Sequence, residues 1–357
     1  MTVQLRDADV IVVGGGQAGL VVGYYLRRAG VDFLILDDQP APGGAWQHAW
    51  PSLRLFSPAS YSSLAGWMMP PAGDDRFPDA AHVVDYLTRY EKRYDLPVVR
   101  PVRVSSVSLV DGGRFEVVTD GGSAKARAVV SATGTWSRPY VPAVPGRDSF
   151  RGRQLHAVDY DGPEPFVGQR VAVVGGGNSG AQILAELSTV AETIWITQRP
   201  PRFLPDDVDG RVLFQLASRR FAARRDGVED PGGGIGGLGD IVMVPPVREA
   251  RDRDALVAEP PVSALTPAGL EWPDGRRDDV DAVVWCTGFK PALGHLDALG
   301  VRGRVAMGGA AGTRSTDIPG LYLVGYGDWT GPASATLVGA ARTARDTVHE
   351  LIGFLTS

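Results

Sequence analysis

The sequence has a single cysteine, Cys286, among its 357 residues. No disulfide can close within the chain, and no C-x-x-C redox pair exists. It also lacks any run of ~18 apolar residues, the length a helix needs to cross a bilayer. Neither sign of charge dominates: 36 Lys and Arg face 41 Asp and Glu, a formal net charge of −5. That balance argues against a nucleic-acid surface. The first residues, Met1 to Asp7, lack the order of a signal peptide, so a cytoplasmic location is expected, with no membrane partner. No metal site is expected. What remains is a globular composition, 44% hydrophobic and 22% charged, in a chain long enough for about two domains of ~150 residues.

Glycine is abundant, and its placement is organised. Val10-Ile11-Val12-Val13 is a β-branched run that reads as a buried parallel strand. Gly14, Gly16 and Gly19 follow at G-x-G-x-x-G spacing, with Gln17 and Ala18 between the last two, and residues 20–26 read as a helix. In this pattern the first glycine makes the tight turn, the second lets backbone approach a pyrophosphate, and the third lets helix pack on strand. The helix N-terminus offers free N–H groups and a positive dipole end to the phosphates. The next strand, Phe33 to Leu36, ends in Asp37, 23 residues after Gly14. That is close to the expected gap for the carboxylate that accepts hydrogen bonds from a ribose.

The pattern recurs. Val171 to Gly180 repeats Val10 to Gly19 at an interval of 161 residues, with Gly175, Gly177 and Gly180 on the three glycine positions and Asn178 and Ser179 opening the helix. Two such units imply two dinucleotides. Counting 23 residues from Gly175 reaches Gln198, followed by Arg199. An acid there would repel a 2′-phosphate, whereas a neutral Gln beside an Arg offers a charge-assisted contact. The first unit therefore reads as an FAD site and the second as a site for NADPH, with NADH also open because Gln198 can bond a plain ribose. Arg199 also reads as a solvated loop arginine.

A second echo supports the plan. Val129 to Gly134 is matched by Val283 to Gly288, and each reads as a strand delivering Thr-Gly (Thr133-Gly134 and Thr287-Gly288) to a crossover between domains. The fold expected is α/β, with two Rossmann-like dinucleotide-binding domains: a discontinuous FAD domain over 1–160 and 282–357, and an inserted NAD(P)H domain over 161–281. Residues 82–96 have helical periodicity, 98–104 read as a strand, and 105–130 as antiparallel strands. After Arg202, Val212 to Phe221 suggests a helix. The glycine-rich stretch between Asp226 and Asp240 reads either as a lid or as a loop without a catalytic role.

After Asp37 the chain has the form D-x-Q-x-x-x-G-G-x-W, with Gln39, Gly43, Gly44 and Trp46, and His48 follows. In this order the chain resembles the flavin-containing monooxygenases, specifically a small bacterial member. The run F-x-G-x-x-x-H-x-x-x-Y, from Phe150 through Gly152 and His156 to Tyr160, resembles the signature shared with Baeyer–Villiger enzymes, where Trp or Pro is the usual last residue. The resemblance implies FAD contacts at Gln39, Gly44, Trp46, His48, the backbone of Val104, Thr133-Gly134 and Asp328, which also reads as a helix N-cap. It implies that Phe150 and His156 couple domain positions to nicotinamide binding, and it suggests a homodimer. It places the segment from Ser52 to Pro58 beside the flavin, with Phe56 and Asn178 nearest the reacting ring. Many relatives carry an Asn where this chain has Phe56-Ser57-Pro58.

The activity implied is hydride transfer from NADPH, or NADH, to FAD, then formation of an oxygen adduct at flavin C4a from dioxygen. One oxygen atom passes to a small substrate, by sulfoxidation of a thioether or Baeyer–Villiger oxidation of a ketone. Two other readings stay open: an NAD(P)H oxidase or flavin reductase releasing hydrogen peroxide, and a nucleotide-binding redox-responsive flavoprotein without turnover. A disulfide reductase is disfavoured because Cys286 has no partner.

Overall fold

The computed structural model describes residues 5–73, 77–208, 210–212, 240–301, 303, 305–309, 312–331 and 333–357. Most of the helix expected from Val212 to Phe221, and the glycine-rich stretch before Asp240, lie outside the described residues.

The chain opens with β1 (Ala8–Val13), α1 (Gln17–Arg28) and β2 (Phe33–Leu36). The two strands pair in parallel from Val10↔Phe33 to Val13↔Leu36. Helix α2 (Ala80–Arg93) starts where Asp79 accepts a hydrogen bond from His82 N–H at 2.8 Å. It is shifted toward the N-terminus of the expected 82–96. The strand expected over 98–104 is broken. Only β3 (Val98–Val99) pairs with β2, because Pro101 has no N–H to give to a ladder. The chain re-enters as an antiparallel meander of β4 (Val104–Val110), β5 (Arg114–Thr119) and β6 (Gly122–Ser131). β6 then returns to lie parallel to β1, ending at Val13↔Ser131.

A second sheet follows, from β7 (Arg153–His156), β8 (Arg170–Val174), α3 (Asn178–Leu187) and β9 (Glu192–Ile196). After α4 (Pro245–Asp252) come β10 (Ala258–Glu259), the small antiparallel sheet of β11 (Ala264–Leu265), β12 (Gly269–Glu271) and β13 (Arg277–Asp279), and then β14 (Ala282–Trp285). The five strands lie in the order β10-β9-β8-β14-β7, all parallel. The chain finally rejoins the first sheet with β15 (Met307–Gly308), β16 (Arg314–Ser315), β17 (Leu321–Leu323) and the long helix α5 (Leu337–Thr356). The first sheet reads β15-β16-β17-β6-β1-β2-β3.

The sheets do not divide where the sequence suggested, at 160 and 282. Trp285 pairs with both Val174 and His156, so β7 and β14 belong to the second sheet. The Phe150–Tyr160 signature, expected to couple domain positions to nicotinamide binding, carries the edge strand of the second sheet. Gly152 permits its tight approach: a Cβ there would lie 2.5 Å from Asp281 O and 2.3 Å from the Phe150 ring.

Alternation along β1 sends Val10 and Val12 to one face, with α1, α2 and α5, and Ile11 and Val13 to the other, with the meander and Leu293–Val301. In the second sheet, Val171 and Val173 pack under α3 and α4. Ala172 faces the small sheet through Leu265, Leu270 and Trp272.

Candidate dinucleotide-binding sites

The two glycine motifs are built alike at their first and third positions. Gly14 has φ +109° and Gly175 φ +136°, and an added Cβ would lie 2.6 Å from Ala132 O in one case and 2.2 Å from Cys286 O in the other. Only glycine fits both that conformation and that space. At Gly19 and Gly180 a Cβ would lie 1.8 Å from Gly14 O and 2.2 Å from Gly175 O, so these positions serve helix–strand packing. The middle glycines differ in kind. A Cβ on Gly16 would meet only Gly44 Cα at 3.8 Å, and one on Gly177 would meet nothing within 4 Å. These positions are kept bare without any protein atom demanding it, as the approach of a ligand's phosphates would require. The residues present therefore fit a dinucleotide at each cradle.

The Thr-Gly echo is topologically the same in both units. Ala132 and Cys286 directly follow the strands that flank β1 and β8, against the first glycine of each motif. Beyond Gly134 and Gly288 the chain crosses between sheets, and the two crossovers run side by side, with Ala292 N–H donating to Gly134 O (2.9 Å), Lys290 N–H to Arg138 O (2.8 Å) and Tyr140 N–H to Gly288 O (2.9 Å).

A cavity of about 640 Å³ opens over the first cradle. It brings together most of the residues expected to hold FAD. Gly14, Gly16, Gln17 and Ala18 come from the turn into α1, and Asp37 and Gln39 from the end of β2. Gly44, Trp46 and His48 come from a short 3-10 turn, Val104 from the start of β4, and Thr133 and Gly134 from the crossover. Gly19 lies beneath the turn. Asp328 is exposed on the 3-10 turn Gly327–Thr330 and does not line the cavity. Gln17 staples three segments: its Nε2 donates to Ala335 O at 2.6 Å, and its Oε1 accepts from Trp46 Nε1 at 2.9 Å. His48 Nε2 bonds Gln39 Oε1 at 2.7 Å, and its ring stacks on Trp136 at 6.3 Å between centroids.

Two cavity features escaped the sequence reading. Asp37, 4% exposed, accepts a hydrogen bond at Oδ2 from Arg100 Nε at 3.0 Å. Burial pushes its carboxyl above the usual range, opposed by Arg100 and by a hydrogen bond from Gly15 N–H. His295 lines the cavity, and its Nε2 lies 3.0 Å from Ser131 Oγ. Ser131 Oγ is 2.6 Å from Tyr326 OH, which is 2.7 Å from Thr133 Oγ1. Burial pushes His295 down to about 4, so the ring is neutral and the network ties β6, β17 and the first crossover together. A lone histidine distant in sequence from every motif carries no signal of such a role.

In the second unit the equivalence needs correcting. β1 pairs Val13 with Leu36, and β8 pairs Val174 with Ile196. The intervals are 23 and 22 residues, so Thr197, not Gln198, stands where Asp37 stands. The packing agrees: a Cβ on Gly15 would meet Asp37 Oδ2 at 2.7 Å, and one on Gly176 would meet Thr197 Cγ2 at 3.2 Å. The absence of an acid is unchanged. Gln198 and Arg199 follow immediately, both exposed, and among the described residues Arg199 makes no ion pair. Arg202, by contrast, donates to Asp240 Oδ2 at 3.0 Å. Ser179 is exposed in the first turn of α3. Thr287 Oγ1 donates to Tyr140 O, and Gly288 O accepts from His156 Nε2 at 3.0 Å while His156 Nδ1 accepts from Val158 N–H at 3.2 Å.

Neither side chain expected beside the reacting ring lines the cavity. The Asn178 amide is used at both ends, donating to Asp240 O at 3.1 Å and accepting from Val242 N–H at 2.9 Å. Phe56 packs on the core of the second sheet with Trp50 and Leu53. The segment 50–56 thus forms a seam between the sheets. Ser52 Oγ and Tyr160 OH (3.0 Å) both donate to the Glu186 carboxylate of α3, and Trp50 meets Tyr160 edge to face at 6.1 Å.

Among the described residues no group of His, Cys, Asp and Glu could hold a metal ion, and no helix is long and apolar enough to cross a membrane. Cys286 is the one cysteine in the chain, and its surroundings push the thiol up to about 12, so a dithiol mechanism has no foothold. The paired cradles, each at the end of parallel strands, give the chain two dinucleotide-binding units, the architecture of a flavoprotein oxidoreductase. A profile of the pyridine nucleotide-disulphide oxidoreductase family matches residues 11–211. The flavin-containing monooxygenase of Stenotrophomonas maltophilia is 49% identical, covering 98% of this chain and 99% of its own, with a TM-score of 0.86. The oxidoreductase CzcO of Bacillus subtilis (strain 168) is 29% identical over 97% of this chain and 99% of its own length. A Baeyer–Villiger monooxygenase of Streptomyces coelicolor is 32% identical over 57% of this chain and 40% of its own length. The chain belongs to the pyridine nucleotide-disulphide oxidoreductase family and, within it, to the small flavin monooxygenases, an oxidoreductase class that uses FAD and NADP(H).

Proposed function

We propose that the protein is an NAD(P)H-consuming monooxygenase that inserts one atom of dioxygen into a small substrate, a thioether or a ketone. The observation that carries this reading is the duplicated cradle, in which one β-strand ends in Asp37 and its counterpart in Thr197-Gln198-Arg199. The first suits the adenosine ribose of FAD, and the second a nicotinamide dinucleotide with or without a 2′-phosphate. Bound FAD supplies the redox and oxygen chemistry. The chain's own residues bind and orient: the bare backbone at Gly16 and Gly177 receives the pyrophosphates, Asp37 accepts from a ribose hydroxyl, and Arg199 supplies positive charge at the second ribose. The aromatic wall of Trp46, His48 and Trp136 lines the first cavity. The seam through Trp50, Ser52 and Phe56 holds the two units in register, and a cytoplasmic homodimer belongs to the same reading.

A second reading, peroxide release, is favoured by one feature. The Asn178 amide is turned to backbone, donating to Asp240 O and accepting from Val242 N–H, and does not line the flavin cavity. The deciding experiment follows NADPH oxidation by the purified protein in air with methyl phenyl sulfide, quantifying sulfoxide and hydrogen peroxide together. Sulfoxide in proportion to NADPH supports the monooxygenase. Peroxide accounting for nearly all the NADPH moves the oxidase reading ahead, and inertness toward NADPH sinks both.

A further inference from the structure

Arg100 leaves the edge strand β3 and places its guanidinium between α2 and the first cradle. Nη1 and Nη2 grip Glu91 at 2.7 and 2.9 Å, and Nε donates to Asp37 Oδ2 at 3.0 Å. The three side chains are nearly buried, 10% exposed for Arg100, 17% for Glu91 and 5% for Asp37. A bidentate pair fixes the plane of a guanidinium. Glu91 therefore sets the plane, and the remaining Nε–H is aimed at Asp37. The backbone of Asp37 is held as well, its N–H donating to Val99 O at 3.1 Å and its carbonyl accepting from Val102 N–H at 2.8 Å.

The trio carries two carboxylates and one cation, and buried ion pairs are weak stabilisers. Asp37 is the member that lines the cavity. A carboxylate has about four lone-pair sites, so the contacts from Arg100 and Gly15 N–H leave Asp37 able to accept from a ligand hydroxyl. We propose that Arg100 is a positioning residue for the dinucleotide in the first cradle, holding the Asp37 carboxylate charged and aimed at the adenosine ribose, with Glu91 as the group that orients Arg100. This rests on the reading of that cradle as the FAD site.

The charged groups around Asp37 are Arg100 from the exit of β3 and Asp38 beside it in the chain; Arg103 and Arg138 also line the cavity. With Arg100 removed, burial and Asp38 both favour the protonated acid. A protonated Asp37 is a poorer acceptor, so flavin affinity then falls as pH falls.

The test uses the full chain, stripped of flavin and titrated with FAD and with FAD lacking the adenosine 2′-hydroxyl, read by flavin fluorescence at pH 8 and pH 6. Wild type is expected to bind the deoxy flavin about tenfold more weakly at both pH values. In Arg100→Met, FAD binding weakens by about tenfold, the ratio between the two flavins shrinks below about threefold, and FAD affinity drops further from pH 8 to pH 6. A residue acting only on the fold would weaken both flavins equally and leave their ratio and the pH profile unchanged. That result overturns the proposal. Arg100→Lys keeps a cation but cannot grip both acids; it decides in the same way if Arg100→Met does not fold, an undiminished ratio again being fatal. A wild-type protein that does not distinguish the two flavins removes the ribose reading itself, a different failure from an unchanged ratio in the variant.

Discussion

His295 shows what one side chain can decide from a distance. It comes from a turn 164 residues beyond Ser131, and packing leaves it neutral. Its value falls from an ordinary 6.5 to about 4, so between those pH values the unfolded chain binds a proton that the folded chain refuses. Stability is then complete above about pH 6.5 and falls as pH drops toward 4, by up to about 1.4 kcal/mol per pH unit for this group. His156, also pushed down by burial, adds a smaller slope of the same sign. Thermal unfolding at pH 7.5 and pH 5 should show the loss, and His295→Gln should reduce it; an equal pH dependence in the variant would disprove the assignment. Arg199 is the complementary case, an exposed cation at a strand end. Arg199→Ala is expected to raise KM for NADPH by about tenfold or more and leave KM for NADH nearly unchanged. Parallel steady-state measurements with both nucleotides check it.

The glycine turn is the element on which both units depend, and its positions separate stability from binding. In Gly180→Ala the new methyl meets Gly175 O at 2.2 Å. The α3–β8 contact must open, so a lower melting temperature and loss of flavin reduction by NADPH are expected together. In Gly177→Ala the methyl meets nothing. The fold should melt within a degree or two of wild type, while KM for NADPH rises because the methyl occupies the path of the pyrophosphate. Should Gly177→Ala lose stability and keep its KM, the second cradle is not a phosphate site. FAD content should stay near wild type in both, because the first cradle is untouched.

At the scale of the molecule, two sheets are joined by paired crossovers and by one seam. The crossovers carry Trp136 and Phe289, whose rings stack at 5.3 Å, and Phe289 meets His156 at the end of β7 at 5.0 Å. The seam gathers at Glu186, which accepts from Ser52 of one unit and Tyr160 of the other. Glu186→Ala would leave the buried Tyr160 hydroxyl without that partner, at a cost of about 1–3 kcal/mol. A matching fall in stability is expected, with a larger share of NADPH electrons appearing as hydrogen peroxide because the two units are held together less firmly. Unfolding and peroxide yield measured side by side check this, and an unchanged peroxide share would confine the seam to a role in stability.

The duplicated strand–turn–helix was legible in the sequence because its requirements are local. A tight turn, a bare phosphate approach and a close helix contact each demand glycine at a fixed offset, so Gly14, Gly16 and Gly19 and their repeats carry the plan without reference to the rest of the chain. The Thr-Gly crossovers were legible for the same reason. Tertiary structure decided what depends on register and on residues far apart. It moved the counterpart of Asp37 from Gln198 to Thr197, because the chain from the glycine turn to β9 is one residue shorter than that to β2 while the strand pairing is the same. It made an edge strand of β7, since a four-residue strand with two exposed residues has no apolar run to announce it. It turned the Asn178 amide to the backbone at 240 and 242, and it brought Arg100, Glu91 and His295 to the first cradle. Each of these depends on which side chains meet across sheets and helices, and no spacing along the chain encodes those meetings.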